Sequence, residues 1–531
     1  MLALNEREKM IQKLKPLALC LCLLGILPAY ASNTATISSR TDQLEQQLTK
    51  MQNELQSLKG QVRHTHKTKS HKSASHTVKA TDKTQDSSTT KPTDYVVGPQ
   101  NLPTSGAHYL GYDPDAPGQA FVSTGPYLRT PISYSGTDLI INSPSINEDV
   151  SLLNVRKNIR QRLRAMNIPV NEDHAHLLLS GNIEAQGLYK HPGAGPASTD
   201  IDVTNVALDA FILGPSHWLT GLMSFGYDND LGTNSGSLNN KSRTQNSRVF
   251  INNAFITFGD FEVTPFYATI GQMYVPFGTY SSNMVSSPLT KVIARIKARA
   301  IVAGIQQQTD NGFYGSAFIF KGDTHAGSTS RVDNGGVNAG YHFVDGKIRA
   351  NFGGGYVANI ADSQGMQNTG GAPLFDGFGG PAGTGNERIA HHVPAIDVRG
   401  LLSIGTSIDL LAEYIGAVSS FNNNDLTYSS HGAKPQALNA EAAYTFSVLD
   451  KPTSVAIGYG KTKDALAIGV PLARMSMTLN TSIWKDTLQS LEFRHDINYA
   501  ASIPASGSDV AAPSASGKSD NVVTAQIDMY F

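Results

Sequence analysis

The stretch Asn521-Val-Val-Thr-Ala-Gln-Ile-Asp-Met-Tyr-Phe531, which ends the 531-residue chain, decides the fold. Apolar and polar residues alternate along it without interruption. The apolar set is Val523, Ala525, Ile527, Met529 and Phe531, and the polar set is Thr524, Gln526, Asp528 and Tyr530. A period of two predicts a β-strand with one apolar and one polar surface.

The aromatic last residue adds a second signal. A closing strand that alternates and ends in Phe resembles the carboxyl-terminal assembly signal of bacterial outer-membrane β-barrels. On that resemblance, we expect Phe531, Met529 and Ile527 to form the signal that the barrel assembly machinery reads. A soluble edge strand could also end in this way, so the rest of the chain must decide between them.

The amino terminus favours export. Lysines precede an apolar run over residues 17–27, and the small-residue sequence Ala29-Tyr30-Ala31 follows it. This pattern predicts a secretory signal peptide over residues 1–31. Both cysteines of the chain, Cys20 and Cys22, lie within the apolar run, so we expect the exported protein to have no thiol, disulfide or cysteine-based metal site.

Composition agrees with a membrane barrel. No later stretch of the sequence holds the roughly 18 consecutive apolar residues of a membrane-spanning helix, so a chain that crosses a membrane must do so as a closed barrel. Charged residues are 16% of the chain, below the roughly 25% of soluble domains. The formal net charge of −1 argues against a nucleic-acid partner.

Two segments follow the signal peptide. Residues 32–62 carry a heptad stripe, which predicts a short coiled coil. Its seam residues are Leu44, Leu48, Met51, Leu55 and Leu58. Because an isolated helix of this length is marginal, it either associates with other copies, with a homotrimer expected by analogy to porins, or packs back on the barrel. Residues 63–94 form a basic, His-rich tether, whose irregular His spacing favours a solvated segment over a metal site.

Residues 95–149 are rich in Gly and Pro and long for a structureless loop. They form either a constriction in the barrel lumen or a periplasmic tail. An amphipathic helix is predicted next, over residues 150–170 within a periodic stretch that starts at Asn147. Its apolar side carries Leu152, Val155, Ile159, Leu163 and Met166. Its other side is basic and carries Arg156, Lys157, Arg160, Arg162 and Arg164.

From residue 171 to residue 531, alternation predicts an all-β fold, a transmembrane antiparallel β-barrel of about 16 strands. Short turns such as Gly259-Asp260 and Asp450-Lys451 alternate with longer polar stretches such as residues 228–246 and 359–390. Short periplasmic turns and long outer loops produce that alternation. We therefore expect the protein in the outer membrane of a Gram-negative cell, in contact with lipid and lipopolysaccharide.

Three local motifs accompany this layout. They are Asp138-Leu139-Ile140-Ile141-Asn142, Asn147-Glu148-Asp149 and Gly271-Gln272-Met273-Tyr274-Val275-Pro276-Phe277-Gly278. With the order of segments, they resemble the LbtU family of siderophore porins over most of the mature chain. The resemblance implies an outer-membrane receptor that passes ferric siderophore. A TonB-dependent transporter would need about 22 strands and a folded plug, which this sequence does not offer.

Residues 291–299 give the best local sign of the solute's charge. Period-two spacing puts Lys291, Arg295, Lys297 and Arg299 on one face of a strand. Such a ladder would attract carboxylates or phosphates; the alternatives are a lumen with mixed charges or a surface loop that binds lipopolysaccharide phosphates. The expected substrate path comprises Arg295, Lys297, Arg299, Arg349, Arg399, Arg474 and Arg494. Acidic lumen candidates that could set a transverse field are Asp397, Asp409, Glu413, Glu441 and Glu492.

We therefore predict passage of an anionic, carboxylate-type ferric siderophore into the periplasm. The alternatives are a general diffusion porin for small anions and a structural or adhesive barrel. An enzyme is not expected, because the adjacent pairs His391-His392 and His495-Asp496 point to opposite faces of a strand and cannot form a catalytic dyad alone. We predict no catalytic residue, no cofactor and no metal.

Overall fold

The computed structural model describes residues 108–109, 121–124, 146–165, 175–214, 216–228, 248–327, 331–367, 377–378, 387–484, 486–505 and 516–531. The predicted signal peptide, the coiled coil with its seam residues and the tether lie outside these residues. Most of the Gly/Pro-rich segment lies outside them too.

Sixteen antiparallel strands form a closed barrel, which confirms the predicted fold class and strand number. The last strand pairs with the first, so the described wall has no open edge between them. The strands are β1 His176–His191, β2 Ser198–Leu213, β3 Leu219–Asp228, β4 Arg248–Gly259, β5 Phe266–Tyr274, β6 Lys297–Gln306, β7 Gly312–Phe320, β8 Asn334–Asp345, β9 Ile348–Val357, β10 Ala395–Ile404, β11 Ile408–Ala417, β12 Gln436–Val448, β13 Lys451–Lys463, β14 Ala473–Thr481, β15 Thr487–Ile497 and β16 Ser519–Tyr530.

The two ends of the barrel differ in their connections. At one end every connection, from that between β2 and β3 to that between β14 and β15, is a short turn, as predicted. The opposite end carries the longer connections, including residues 229–247, 275–296 and 358–394. Because short turns face the periplasm in such barrels, this asymmetry assigns the periplasmic and outer ends.

The closing strand β16 has the predicted faces. Ile527, Met529 and Phe531 remain 44%, 49% and 42% exposed on the outer surface. Thr524, Gln526, Asp528 and Tyr530 are buried and face the lumen. One aromatic departs from its predicted place: Tyr499, assigned to an apolar strand face, lies beyond β15, is buried, and its hydroxyl is 2.7 Å from Thr462 Oγ1. The strand ends at Ile497, and beyond it the Tyr499 hydroxyl reaches Thr462 near the end of β13.

Within the part of the chain that the structure describes, two α-helices accompany the strands: α1, Glu148–Ala165, and α2, Leu289–Ala294. Neither helix of the described residues is long and apolar enough to cross a membrane. In the outer loops, His325–Ala326 pairs with Arg388–Ile389 and Thr427–Tyr428 pairs with His431–Gly432. Before the barrel, Phe121–Thr124 pairs in parallel with the first residues of β1 and antiparallel with His108–Tyr109.

Helix α1 lies inside the barrel. Leu152 and Leu153 are fully buried in one core with Phe211, Phe255 and Tyr267, whose side chains point inward from β2, β4 and β5. This apolar stripe explains why a helix forms here, because packing of one face supplies most of a helix's stability. The helix therefore fills part of the lumen beside β2 to β5.

The basic side of α1 binds the periplasmic turns. Arg160 Nη1 lies 3.0 Å from Asp260 Oδ2, and Arg164 Nη1 lies 2.9 Å from Glu262 Oε1, both in the turn between β4 and β5. Arg156 Nη2 donates to the Ser216 carbonyl at 3.0 Å, in the turn between β2 and β3. The carboxyl-terminal half of the helix is thus fixed at the periplasmic mouth.

Candidate functional site: the constriction of the barrel

The connection between β5 and β6, residues 275–296, folds into the lumen, and we call it the inserted segment. Its apolar residues Phe277, Tyr280, Leu289 and Ile293 are completely buried. A loop of this length would ordinarily lie on the surface; this one carries enough apolar area to pack inside. It narrows the barrel above α1.

Carboxylates of the opposite wall hold the inserted segment. Glu413 of β11 accepts hydrogen bonds from the backbone N–H groups of Thr279 and Tyr280, at 2.6 and 3.1 Å. Glu441 of β12 accepts from the Asn283 N–H at 2.7 Å. The wall therefore binds the backbone of the segment rather than only its side chains.

Contacts with β14 and β15 strengthen this attachment. Glu492 of β15 accepts from the Ser286 N–H at 3.0 Å. Arg474 of β14 donates to the Ser287 carbonyl at 3.0 Å while its Nε binds Asp496 at 2.7 Å. The inserted segment thus crosses the lumen from β5 to β15 and divides it.

The start of the segment needs an unusual backbone. Gly278 and Tyr280 have φ values of 77° and 55°, in the left-handed region. Glycine adopts this region freely, whereas a residue with a side chain is strained there. Tyr280 is held in this conformation by its N–H bonds to Glu413 and by complete burial.

Between the inserted segment and the wall formed by β16 and β1 to β4 lies a cavity of about 420 Å³. Among the described residues that line it, four are charged: Lys291, Arg295, Glu184 and Asp528. The neutral polar lining includes Asn182, Gln186, Asn205, Tyr227, Asn252 and Ser287. Positive groups therefore come from the inserted segment and negative groups from the wall. We take this constriction as the candidate site.

The cationic side is rigid at Arg295. Its guanidinium carbon lies 4.5 Å from the ring centroid of Tyr274, a cation–π contact. Its Nε donates to Gln364 Oε1 at 3.0 Å. Lys291 lies one helical turn earlier, on α2, and is half-buried. Burial lowers the pKa of the Lys291 ammonium to about 7, with a further lowering from Arg295 and an opposing effect of Glu184.

The acidic side is built where the barrel closes. Glu184 of β1 and Asp528 of β16 are directly opposite each other in the strand register. Gln526 Nε2 donates to Asp528 Oδ2 at 2.8 Å, and Gln186 Nε2 donates to Glu184 Oε1 at 3.1 Å. Gln186 Nε2 also donates to Gln526 Oε1 at 2.6 Å. These hydrogen bonds from the glutamine side chains orient the two carboxyl groups toward the cavity.

The strand predicted over residues 291–299 is wrong in its first half. Lys291 lies on α2, Arg295 is the residue that caps this helix, and the strand β6 begins only at Lys297. The helix forms because Leu289 and Ile293, four residues apart, both pack into the core. Lys291 and Arg295 still line one cavity, but through helical rather than strand spacing.

The other two members of the ladder lie elsewhere. The Lys297 ammonium is hydrogen-bonded to Asn252 Oδ1 and lies 5.4 Å from the Tyr274 ring centroid. Arg299 is exposed, and alternation along β6 puts it on the same face as Ile301, the outer surface. Within the described residues, the cavity lining contains neither of them.

Three of the remaining arginines of the predicted path, Arg399, Arg474 and Arg494, pair with carboxylates of the wall. Arg399 forms a buried ion pair with Asp397 and binds Asn338. Arg494 Nε lies 3.2 Å from Asp496 Oδ2, the carboxylate that Arg474 also binds. Arg349 is exposed beside the short turn between β8 and β9. A role of these residues in the solute path stays a prediction.

The five acidic lumen candidates do face inward and are buried. Glu413, Glu441 and Glu492 bind the inserted segment, Asp397 binds Arg399, and Asp409 accepts from Ser403 Oγ at 2.6 Å. The cavity carboxylates are instead Glu184 and Asp528, which sequence reasoning missed as a site. Their signal was present: each is an acidic residue on the polar face of an alternating strand, Asn182-Glu184-Gln186 and Thr524-Gln526-Asp528.

Comparison with known proteins gives the family but not an activity. No family model matches the chain. A UPF0422 protein of Coxiella burnetii is 38% identical over 415 residues, which covers 77% of this chain and 84% of that protein. The chain belongs to the UPF0422 family. A second UPF0422 protein, from Legionella pneumophila strain Philadelphia 1, is 36% identical over 425 residues, with 77% of this chain and 76% of that protein covered.

Solved structures similar to this UPF0422 protein are outer-membrane barrels. The channel DcaP of Acinetobacter baumannii matches with a TM-score of 0.42 and 14% identity, over 67% of this chain and 98% of DcaP. An anion-selective porin from Comamonas acidovorans matches with a TM-score of 0.43 and 12% identity, over 67% of this chain and 100% of the porin. The strand pairing of the UPF0422 chain itself shows a closed barrel of sixteen strands. Membership of the LbtU siderophore family stays a prediction.

Proposed function

We propose that this protein is an outer-membrane channel for small anionic solutes, and that its specific cargo is an anionic ferric siderophore of the carboxylate type. The proposal of an anion channel rests on one observation: Lys291 and Arg295 both line the cavity at the constriction. Within the described residues, neither forms an ion pair with a carboxylate. The siderophore is proposed on the sequence resemblance.

Electrostatics favours anions at this place. Charges in a narrowed lumen interact more strongly than in bulk water, since the wall has a lower dielectric constant. Rings of Arg and Lys give pores a preference for anions and raise their local concentration. A charge that selects solutes must also stay in place. Arg295 is held in place by its contacts with Tyr274 and Gln364.

Planar bilayers with a salt gradient test the proposal. We expect the wild-type reversal potential to report anion preference, and the double change Lys291→Glu with Arg295→Glu to abolish or reverse it. Arg299→Glu is the matched control, because it removes a nearby cation from the outer surface. An unchanged reversal potential in the double variant, at equal insertion, would remove these residues from the solute path.

A ferric siderophore added to one side of the same bilayer tests the cargo. We expect transient blockade of the current by a ferric carboxylate siderophore and weaker blockade by the iron-free form. Equal conductance with and without the ferric form would leave a general porin for small anions. Liposomes that show no solute flux at all would favour a structural or adhesive barrel.

We expect two partners of the barrel, the barrel assembly machinery and further copies of the same chain. We propose that the barrel assembly machinery recognises β16 through Phe531, Met529 and Ile527, which lie together on the outer surface. We also propose a homotrimer in the membrane, by analogy with porins. Cross-linking of the purified protein in detergent would show a single-chain mass if the second proposal is wrong.

A further inference from the structure

The cavity at the constriction carries charges of both signs. This inference rests on the proposed channel and concerns the kind of solute it prefers. Lys291 and Arg295 lie on the inserted segment, and Glu184 and Asp528 lie on the wall of the same cavity of about 420 Å³. A volume of this order falls within the range of small-molecule sites.

The two charged sides do not neutralise each other. No ion pair joins Lys291 or Arg295 to Glu184 or Asp528 within the part of the chain that the structure describes. Glu184 is nevertheless close enough to Lys291 for the two to interact electrostatically. The four groups thus face each other across a space that a solute can enter.

Fixed hydrogen bonds hold the acidic side in place. Glu184 accepts from Gln186 and Thr204, and Asp528 accepts twice from Gln526. Each of these bonds uses a donor that belongs to the wall, and both carboxyl groups line the cavity. A purely anionic solute would leave this acidic side without a partner.

We propose that the constriction prefers zwitterionic solutes of the size of an amino acid or a short peptide. The carboxylate of the solute binds between Lys291 and Arg295, and its ammonium group binds between Glu184 and Asp528. Such a solute satisfies both sides of the cavity at once, whereas a simple anion or a simple cation satisfies only one side. The preference of the channel for anions and its preference for a solute that also carries an ammonium group are therefore two properties, and each has its own measurement.

Liposome swelling with 4-aminobutyrate and 4-hydroxybutyrate tests this directly. The two solutes have the same chain and carboxylate and differ in an ammonium against a hydroxyl group. We expect wild-type liposomes to swell faster in 4-aminobutyrate. The double change Glu184→Gln with Asp528→Asn keeps size and hydrogen-bonding capacity, and we expect it to lower the rate ratio about threefold to tenfold, as two partly exposed ion pairs allow.

Controls separate this proposal from the channel itself. Asp310→Asn, in an exposed periplasmic turn, should leave the rate ratio unchanged. Glu184→Gln alone should lower the rate ratio partly, and this single variant replaces the double variant if the double variant folds poorly. Wild-type liposomes that favour anions in reversal potential but swell equally in both solutes would overturn the zwitterion preference alone. Absence of anion preference in the wild type would instead overturn the proposed function. An equal rate ratio in wild type and double variant would also overturn the inference.

Discussion

Phe531 and Gly181 close the barrel with a reciprocal pair of backbone hydrogen bonds. The Gly181 N–H donates to the Phe531 carbonyl at 2.8 Å, and the Phe531 N–H donates to the Gly181 carbonyl at 3.0 Å. A Cβ added at Gly181 would overlap the Phe531 ring and lie 2.6 Å from the Ala207 carbonyl. The last residue of the chain thus occupies space that only a glycine on β1 leaves open.

We expect Gly181→Ala to reduce the amount of folded barrel in the outer membrane, because the added methyl group displaces the Phe531 ring. Deletion of Phe531 should have the same effect while export continues. Heat-modifiable mobility in gels measures the folded fraction. Gly187→Ala is the control, because a Cβ there meets no atom within 4 Å; equal losses in both glycine variants would contradict this account.

The wall carboxylate Glu413 should set the width of the pore. Glu413→Ala leaves the N–H groups of Thr279 and Tyr280 without their acceptor, which costs about 1–3 kcal/mol for each buried donor that stays unsatisfied. We expect the inserted segment to loosen, so that single-channel conductance rises and becomes noisier. Asp409→Asn serves as the control, since Asp409 binds Ser403 on the neighbouring strand, and a conductance unchanged by Glu413→Ala would contradict the anchoring role.

Anion preference should fall as pH rises through neutrality. The pKa of Lys291 is lowered to about 7 by burial, so its ammonium is charged below that pH and neutral above it. Arg295, Glu184 and Asp528 face the same cavity, and Arg295 keeps its charge throughout this range. Reversal potentials at about pH 5.5 and about pH 8.5 measure the change. Lys291→Arg should reduce the pH dependence; a pH dependence equal to that of the wild type in this variant would assign the effect to another group.

Docking of α1 should depend on its arginines. Removing Arg160 and Arg164 by Ala substitution deletes the ion pairs with Asp260 and Glu262, and we expect α1 to leave its site more often. Leu153→Cys places a thiol in the buried stripe, and maleimide labelling of this thiol should be slow with the arginines and faster without them. A thiol at the exposed Gln161 should label rapidly in both backgrounds. Slow labelling at position 153 without the arginines would show that apolar packing alone holds the helix.

The local sequence pattern predicted the strands of the barrel wall but only part of the structure inside the lumen. The faces of β16 follow from the alternation of Ile527 and Met529 with Gln526 and Asp528, because a strand has a fixed period. The same reasoning fails for the inserted segment. Residues 291–299 alternate like a strand, but the packing of Leu289 and Ile293 into the core makes the first part of this stretch helical.

The acidic side of the cavity depends on barrel closure. Gln186 and Gln526, which link the two carboxylate strands, are 340 positions apart in the sequence. Local patterning places Glu184 and Asp528 each on a polar face, but it contains no information on which distant strand becomes the neighbour. Their juxtaposition appears only when β1 and β16 pair.

Helix α1 precedes every wall strand in the chain. In the folded protein it lies inside the ring that β16 completes by pairing with β1. If the ring closed first, α1 would have to enter a closed lumen before Arg160 could reach the turn between β4 and β5. We therefore infer that β2 to β5 pack around α1 before β1 and β16 pair, so that the helix serves as an internal template for the barrel.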